Sequence, residues 1–243
     1  MKNTLLFLLV LFSVSIFAQE KKIKYQLSFG PTLSVPKTSK LSDSNIDGFP
    51  EIKSSINIGA FILPSINYSF NKKTSLEFGL GFYLDRFSIE NKIGVSVNKG
   101  NRNINQLQLP ININFRFGND NSYLFGIGGF TSFLLSAKEK GHTEIDYSKI
   151  YYYNPNDPIY IVNNGSYNNN IKDNYNSVNF GAFIQLKKEI SFSTSTPGFI
   201  LIKINQYFNA IKNHDSNSAL NNYFNLKDEK EPTTINLGIG IDL

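Results

Sequence analysis

One stretch, Leu107–Phe117 (LQLPININFRF), limits the possible fold more than any other part of the chain. Its odd-numbered positions are all large apolar residues, and its even-numbered positions are polar residues or proline. This alternation is typical of a β-strand with one apolar face and one polar face. Strands of soluble proteins have about 5–6 residues, whereas strands that cross a bilayer have about 9–11. The stretch therefore predicts a transmembrane β-strand.

Seven further segments of similar period bring the predicted strands to eight. The eight cover roughly residues 23–33, 55–70, 74–90, 103–117, 122–137, 174–188, 198–212 and 233–243. The connections alternate between short and long, at roughly 21, 3, 12, 4, 36, 9 and 20 residues. Bacterial membrane barrels have an even strand count, short periplasmic turns and longer extracellular loops. We therefore predict an all-β fold, an eight-stranded antiparallel up-and-down transmembrane β-barrel, monomeric and with both ends of the mature chain in the periplasm.

Two positions predict local irregularities in the barrel. Pro110 has no N–H to donate, so we expect a bulge or irregular pairing where it lies. In the fifth strand the apolar residues change parity between Ile127 and Phe130. Since glycine within a strand often marks a bulge, we expect one near Gly128–Gly129.

The N-terminal residues predict export. Residues 1–18 begin with the basic residue Lys2 and end with the small residue Ala18. Between them, Leu5 to Phe17 is an apolar run interrupted by only two serines. This is the plan of a secretory signal peptide; a helical membrane anchor is less favoured because the run is short of roughly 20 residues. The absence of cysteine excludes both a lipoprotein anchor and disulfides. Residues 19–243 are then one outer-membrane β-barrel domain, located in the cell outer membrane.

Several charged residues of the predicted strands take the parity opposite the apolar face. Four of them are expected to form a polar network in the lumen: Glu77, Asp85, Arg116 and Lys203. Gln108, Gln185 and Lys187 share this parity. The interior of an eight-stranded barrel is just wide enough for side chains, and unpaired buried charge is costly, so acids and bases should pair. We favour a structural network over a proton path, an ion path or a gate. Arg116, next to a periplasmic turn, suits a structural anchor best.

The longest predicted loop, about residues 138–173, is rich in tyrosine and asparagine. Binding loops favour these residues because they give large amphipathic contacts and adaptable hydrogen bonds. The candidate binding residues are Tyr151, Tyr152, Tyr153 and Tyr160. The alternatives are a solvated low-complexity loop and a strand extension that stands above the membrane.

Few groups in the chain could support catalysis or bind a metal. There are two histidines, His142 and His214, and no cysteine. His142 lies near Glu144 and Asp146, but an exposed loop cluster is a better interpretation than a metal site. We predict no enzyme activity, no metal and no cofactor. The net charge of +5 is spread along the chain rather than gathered in a stripe, so nucleic-acid binding is not predicted.

Several segments together resemble one known family. They are the FAQ that ends the predicted signal peptide, LQLPININFRFG, YLFGIGGFTSFLL, NFGAFIQL and the final NLGIGIDL. They are similar to the PorT-like outer-membrane β-barrel domain family of Gram-negative bacteria. The resemblance implies an outer-membrane location and, for most members, no known activity. One departure is Leu243, which stands where such barrels usually end in an aromatic residue that the assembly machinery reads.

The favoured function is a structural or surface-interaction role through long extracellular loops, without catalysis. The first alternative is a narrow pore, or a transport or secretion accessory of the outer membrane. Two others are a membrane-embedded enzyme acting on lipid or peptide and a soluble exported calyx with an apolar lumen. The expected partners are outer-membrane lipid, the barrel-assembly machinery and an unidentified extracellular ligand or surface partner.

Overall fold

A computed structural model describes residues 22–36, 40–41, 51–93, 96–118, 120–145, 165–193, 196–209 and 232–243. Within them the strands are β1 (Ile23–Val35), β2 (Lys40–Leu41), β3 (Glu51–Ser69), β4 (Thr74–Gly79), β5 (Gly81–Ile93), β6 (Ser96–Phe117), β7 (Tyr123–Ile145), β8 (Gly165–Asn170), β9 (Val178–Ser193), β10 (Thr196–Tyr207) and β11 (Thr233–Asp242). A short 3-10 helix covers Lys172–Asn174. No helix in these ranges is long and apolar enough to span a membrane.

The strands form one closed antiparallel sheet. β1 pairs with β3 on one side and with β11 on the other, so the first and last strands complete a ring. β4 and β5 are two halves of one barrel strand, because both lie between β3 and β6. β2 pairs with the N-terminal end of β3, and β8 pairs with the C-terminal part of β7. The ring therefore has eight positions among the described residues, and the predicted fold class is confirmed.

The barrel is apolar outside, and its interior buries many polar groups. Alternate side chains on each strand form an apolar belt around the exterior, including Phe29, Ile111, Ile184, Ile202 and Ile239. The neighbouring positions point inward and bury polar groups; Thr32, Asn114 and Asn236 are fully buried. This arrangement is the reverse of a ligand-binding calyx, so the soluble alternative is wrong.

Strand lengths differ from the prediction on one side of the barrel. β6 has 22 residues and β7 has 23, and only residues 94–95 separate β5 from β6. The predicted 12-residue loop between the third and fourth barrel strands is therefore wrong, because most of it is paired hairpin. The cause is physical: beyond the membrane the outward face needs no apolar residues, so the alternation that marked the strand stops while the hydrogen-bonded ladder continues.

The two predicted irregularities have different outcomes. The β4–β6 ladder ends at Phe78–Ile111 and the β5–β6 ladder starts at Gly81–Gln108. Pro110 lies in this gap, so the predicted irregular pairing is confirmed as an interruption of the ladder, while the register is the same on both sides of it and no bulge is present there. The predicted bulge at Gly128–Gly129 is wrong: the β6–β7 register runs through both glycines and shifts at Asn105–Gln106. Phe130 instead points into the lumen.

Candidate functional site in the lumen and the outer sheet

A buried carboxylate on β4 organises the polar part of the lumen. Glu77 accepts a hydrogen bond from Lys187 Nζ at 2.6 Å, and the two side chains form an ion pair with almost no solvent contact. Ser65 Oγ donates to the same carboxylate at 3.1 Å. Asn114 and Gln185 donate to its other oxygen at 2.9 and 3.1 Å. Both carboxylate oxygens are therefore satisfied, which a buried charge requires.

The hydrogen bonds around Lys187 continue to the strands that close the ring. Lys187 also donates to Gln26 Oε1 at 3.2 Å and lies over the Phe199 ring, 4.4 Å from its centroid. Gln26 donates in turn to Asp242 Oδ1 at 2.8 Å, and Lys24 donates to Asp242 Oδ2 at 3.0 Å. A continuous chain of polar contacts thus joins the Glu77–Lys187 pair to the β1–β11 seam.

A second polar group lies nearer the outer end. Gln106 Nε2 and the Tyr207 hydroxyl donate to Asp85 Oδ2 at 2.8 and 3.2 Å. Lys203 Nζ donates to the Tyr83 hydroxyl at 3.3 Å and lies 3.9 Å from the Phe183 ring centroid. Among the described residues neither Asp85 nor Lys203 belongs to an ion pair.

The four predicted lumenal residues do not form a single network. Glu77, Asp85 and Lys203 are buried in the lumen. Arg116 instead lies at the turn end, where it makes a two-pronged contact with Glu189 at 2.6 and 2.7 Å. Lys187 is the partner of Glu77; its parity marked it as inward-facing, but nothing in the sequence indicated that it meets Glu77. The candidate binding residues Tyr151, Tyr152, Tyr153 and Tyr160 lie outside the described residues.

Apolar side chains fill the lumen in two clusters, one between these two polar groups and one at the outer end. One cluster comprises Phe61, Leu63, Tyr83, Phe199 and Leu201. The other comprises Phe87, Ile104, Phe130, Leu134, Ala137, Ile171, Tyr175, Phe183 and Tyr207. In the sequence Phe61 and Leu63 interrupt the polar face of their strand, yet both have the inward parity. Glycines face the rings: a Cβ on Gly240 would lie 2.1 Å from Phe199.

The segment after β8 packs into the outer end of the lumen. Ile171 and Tyr175 are each 6% exposed and belong to the outer apolar cluster. The Ile171 N–H donates to the Ala137 carbonyl at 3.0 Å, and Ser177 accepts from the Leu134 N–H at 2.8 Å. These bonds fasten the short 3-10 helix to β7. The lumen is therefore covered at this end as well as filled.

Several strands continue outward beyond the apolar belt as an open sheet. This outer sheet comprises residues 51–55, 86–93, 96–105, 136–145 and 165–170. On its barrel-side face Arg102 pairs with Glu139 at 3.1 Å. On the other face Glu144 accepts from Lys99 at 2.8 Å and contacts His142 at 2.9 Å, and the Lys99 bond lowers the pKa of Glu144. Asp146, the third residue of the predicted weak metal cluster, lies outside the described residues.

The fold is similar to those of solved outer-membrane barrels. OprG from Pseudomonas aeruginosa is 10% identical with a TM-score of 0.45, covering 90% of this chain and 95% of that chain. Ail of Yersinia pestis, solved in complex with the heparin analogue sucrose octasulfate, is 10% identical with a TM-score of 0.36, covering 91% and 99%. The translocator domain of the autotransporter NalP from Neisseria meningitidis is 9% identical with a TM-score of 0.22, covering 98% and 95%. No curated protein matches the sequence significantly.

A family model gives the assignment that these distant similarities do not. The model of the outer membrane protein beta-barrel domain matches residues 17–238. That range includes nearly all of the strands described above, from β1 to most of β11. The family places its members in the outer membrane, which agrees with the apolar exterior of the barrel. The chain therefore belongs to the outer membrane protein β-barrel domain family.

Proposed function

We propose that the protein is a non-conducting, non-catalytic barrel that holds an outer β-sheet at the cell surface, where the sheet contacts molecules outside the cell. The observation that carries this proposal is the filled lumen. The Glu77–Lys187 pair and the two apolar clusters occupy the interior. A barrel of this size has no room for side chains and a water-filled channel at once.

The outer sheet supports the surface-contact part of the proposal. The portion of β6 from Ser96 to Asn105 extends roughly 30 Å along the strand, at about 3.3 Å per residue. It is paired on both sides, with β5 and with β7. A paired sheet presents its side chains in fixed positions, which lowers the ordering cost of binding. In this proposal the main surface element is a strand extension rather than an unstructured loop.

A narrow pore or a transport accessory is the second candidate. One observation favours it: Asp85 Oδ1 is buried without a hydrogen-bond partner, and Lys203 faces aromatic rings rather than a carboxylate. Such groups would line a path for protons or ions if the outer cluster opened.

Recordings in planar bilayers separate the two candidates. We expect purified full-length protein to show no stable conductance, because Phe61, Tyr83 and Phe199 fill the lumen between the two polar groups and the outer cluster fills its outer end. A control triple substitution, Phe61→Ala, Tyr83→Ala and Phe199→Ala, removes three of these rings and should raise leak conductance. A stable open channel in the unmodified protein that Asp85→Asn abolishes would overturn the proposal in favour of the pore.

We also propose that residues 1–18 form a signal peptide and that the chain is PorT-like. The first proposal predicts that the protein isolated from outer membranes begins at Gln19, within a few residues, by N-terminal sequencing. Detection of residues 1–18 in the membrane-inserted protein would contradict it. The PorT-like resemblance remains a prediction and carries no secretion role over to this chain.

A further inference from the structure

Two rows of side chains on the outward face of the outer sheet have the same composition. Each row places a β7 lysine between an asparagine from β6 and an asparagine from β8. The inner row is Asn103, Lys138 and Asn170, and the outer row is Asn101, Lys140 and Asn168. All six side chains are exposed or half-exposed. We call these six residues the Asn–Lys face.

The height of the Asn–Lys face follows from the strand. Leu135 is the last large apolar residue of the exterior on β7, and it is 46% exposed. Lys138 and Lys140 come three and five residues later. At about 3.3 Å per residue and a tilt of about 45°, they lie roughly 7 and 12 Å above Leu135. The headgroup layer extends about 5–8 Å beyond the hydrocarbon core, so the lysines lie in and just above it.

The charge of the face is not neutralised by the protein. Among the described residues neither Lys138 nor Lys140 has an ion pair. The nearest acids on β7 are engaged elsewhere, since Glu139 pairs with Arg102 on the other face of the sheet and Glu144 pairs with Lys99. Within the described residues the face therefore presents two unpaired positive charges, each flanked by amide groups, to an external anion.

We infer that the Asn–Lys face binds the phosphate and sugar hydroxyls of a phosphorylated glycolipid in the outer leaflet. An ammonium group binds phosphate as a point charge, and the Nδ2 groups of the asparagines donate to phosphate and hydroxyl oxygens. The Oδ1 atoms of Asn101, Asn103 and Asn170 already accept from Asn57, Arg86 and the Lys172 N–H. Below the lysines, Phe133, Leu135 and Val178 form an exposed apolar surface that suits the acyl chains of the same molecule. The inference rests on the membrane position of the barrel and not on the surface-contact role proposed above.

The test uses full-length protein reconstituted in phosphatidylcholine vesicles that contain about one-tenth bisphosphorylated lipid A. Lipid A that remains bound after extraction is counted by native mass spectrometry. We expect Lys138→Gln/Lys140→Gln to reduce retained lipid A at least about tenfold, in line with what two lysines contribute at an anionic surface. The matched control is Lys72→Gln/Lys73→Gln, which removes the same two charges from an exposed turn at the opposite rim. This control should retain lipid A as the unmodified protein does.

Further arms identify the chemistry that is recognised. Lipid A without its phosphates should be retained weakly by every variant, and Lys138→Arg/Lys140→Arg should keep binding, which also shows that changes at these positions leave the barrel folded. The inference is overturned if the glutamine variant retains lipid A normally or if the control loses it equally. It is also overturned if inorganic phosphate at millimolar concentration binds the face as tightly as the lipid does.

Discussion

Replacement of Lys187 by methionine is expected to lower the free energy of unfolding by about 3–5 kcal/mol, the usual cost of leaving one partner of a buried ion pair alone. Glu77 is 3% exposed and would lose its only described cation. Its remaining donors, Ser65, Asn114 and Gln185, are neutral and cannot balance its charge. Urea titration of the detergent-folded protein, followed by heat-modifiable migration on gels, measures the change.

Two companion variants make this prediction specific to charge. Arg116→Met removes a cation from the part-exposed pair with Glu189 at the turn end, and exposed pairs contribute only about 0–1 kcal/mol. Glu77→Gln combined with Lys187→Met removes both charges and should be more stable than Lys187→Met alone. If the double variant shows the sum of two independent losses, the pair is not the reason for the destabilisation.

Substitution of Gly240 by valine is expected to destabilise the barrel by about 3 kcal/mol, the upper end of the usual overpacking cost. A Cβ at this position would lie 2.1, 2.4 and 2.7 Å from three atoms of the Phe199 ring. Phe199 is 1% exposed, so its ring has no free space to move into. The temperature at which the folded band disappears on a gel should fall accordingly.

A second glycine provides the control for this clash. Gly129 faces outward, and a Cβ there would meet only the Gly181 carbonyl oxygen, at 3.3 Å. Gly129→Val should therefore leave stability almost unchanged. Gly240→Val with Phe199→Ala should regain part of the loss, since the smaller side chain removes the clash. Equal damage from valine at Gly129 and at Gly240 would show that glycine matters for the strand backbone rather than for lumen packing.

The period of two was sufficient to predict the fold but not the site. Leu107–Phe117 predicted which side chains face lipid, and the face assignment of Glu77 and Lys187 followed in the same way. Which inward residues meet, however, depends on the stagger between strands. Glu77 and Lys187 lie on β4 and β9, which are separated by β6 and β7 around the ring. Periodicity within each strand carries no information on that offset, so the pairing was not predictable.

The outer sheet was predicted only in part, for a different reason; a strand extension was only an alternative for the longest loop. In the membrane, lipid requires apolar residues at every second position, so strands there can be recognised from the sequence. Above the membrane, water accepts polar residues such as Lys99 and Asn101 on the outward face. The backbone ladder remains, but its sequence signature is lost, so paired strand was interpreted as loop. The inward-facing apolar residues were also hard to recognise from the sequence. Phe61 and Leu63 are apolar like the lipid-facing residues, but they have the opposite parity.

The polar contacts from Glu77 through Lys187 and Gln26 to Asp242 couple the buried ion pair to the closure of the ring. Asp242 is the last residue of β11, and the pairing of β11 with β1 closes the ring. Gln26 accepts from Lys187 and donates to Asp242, so one β1 side chain links the ion pair to β11. A change that weakens the β1–β11 seam is therefore expected to weaken the burial of the Glu77–Lys187 pair as well.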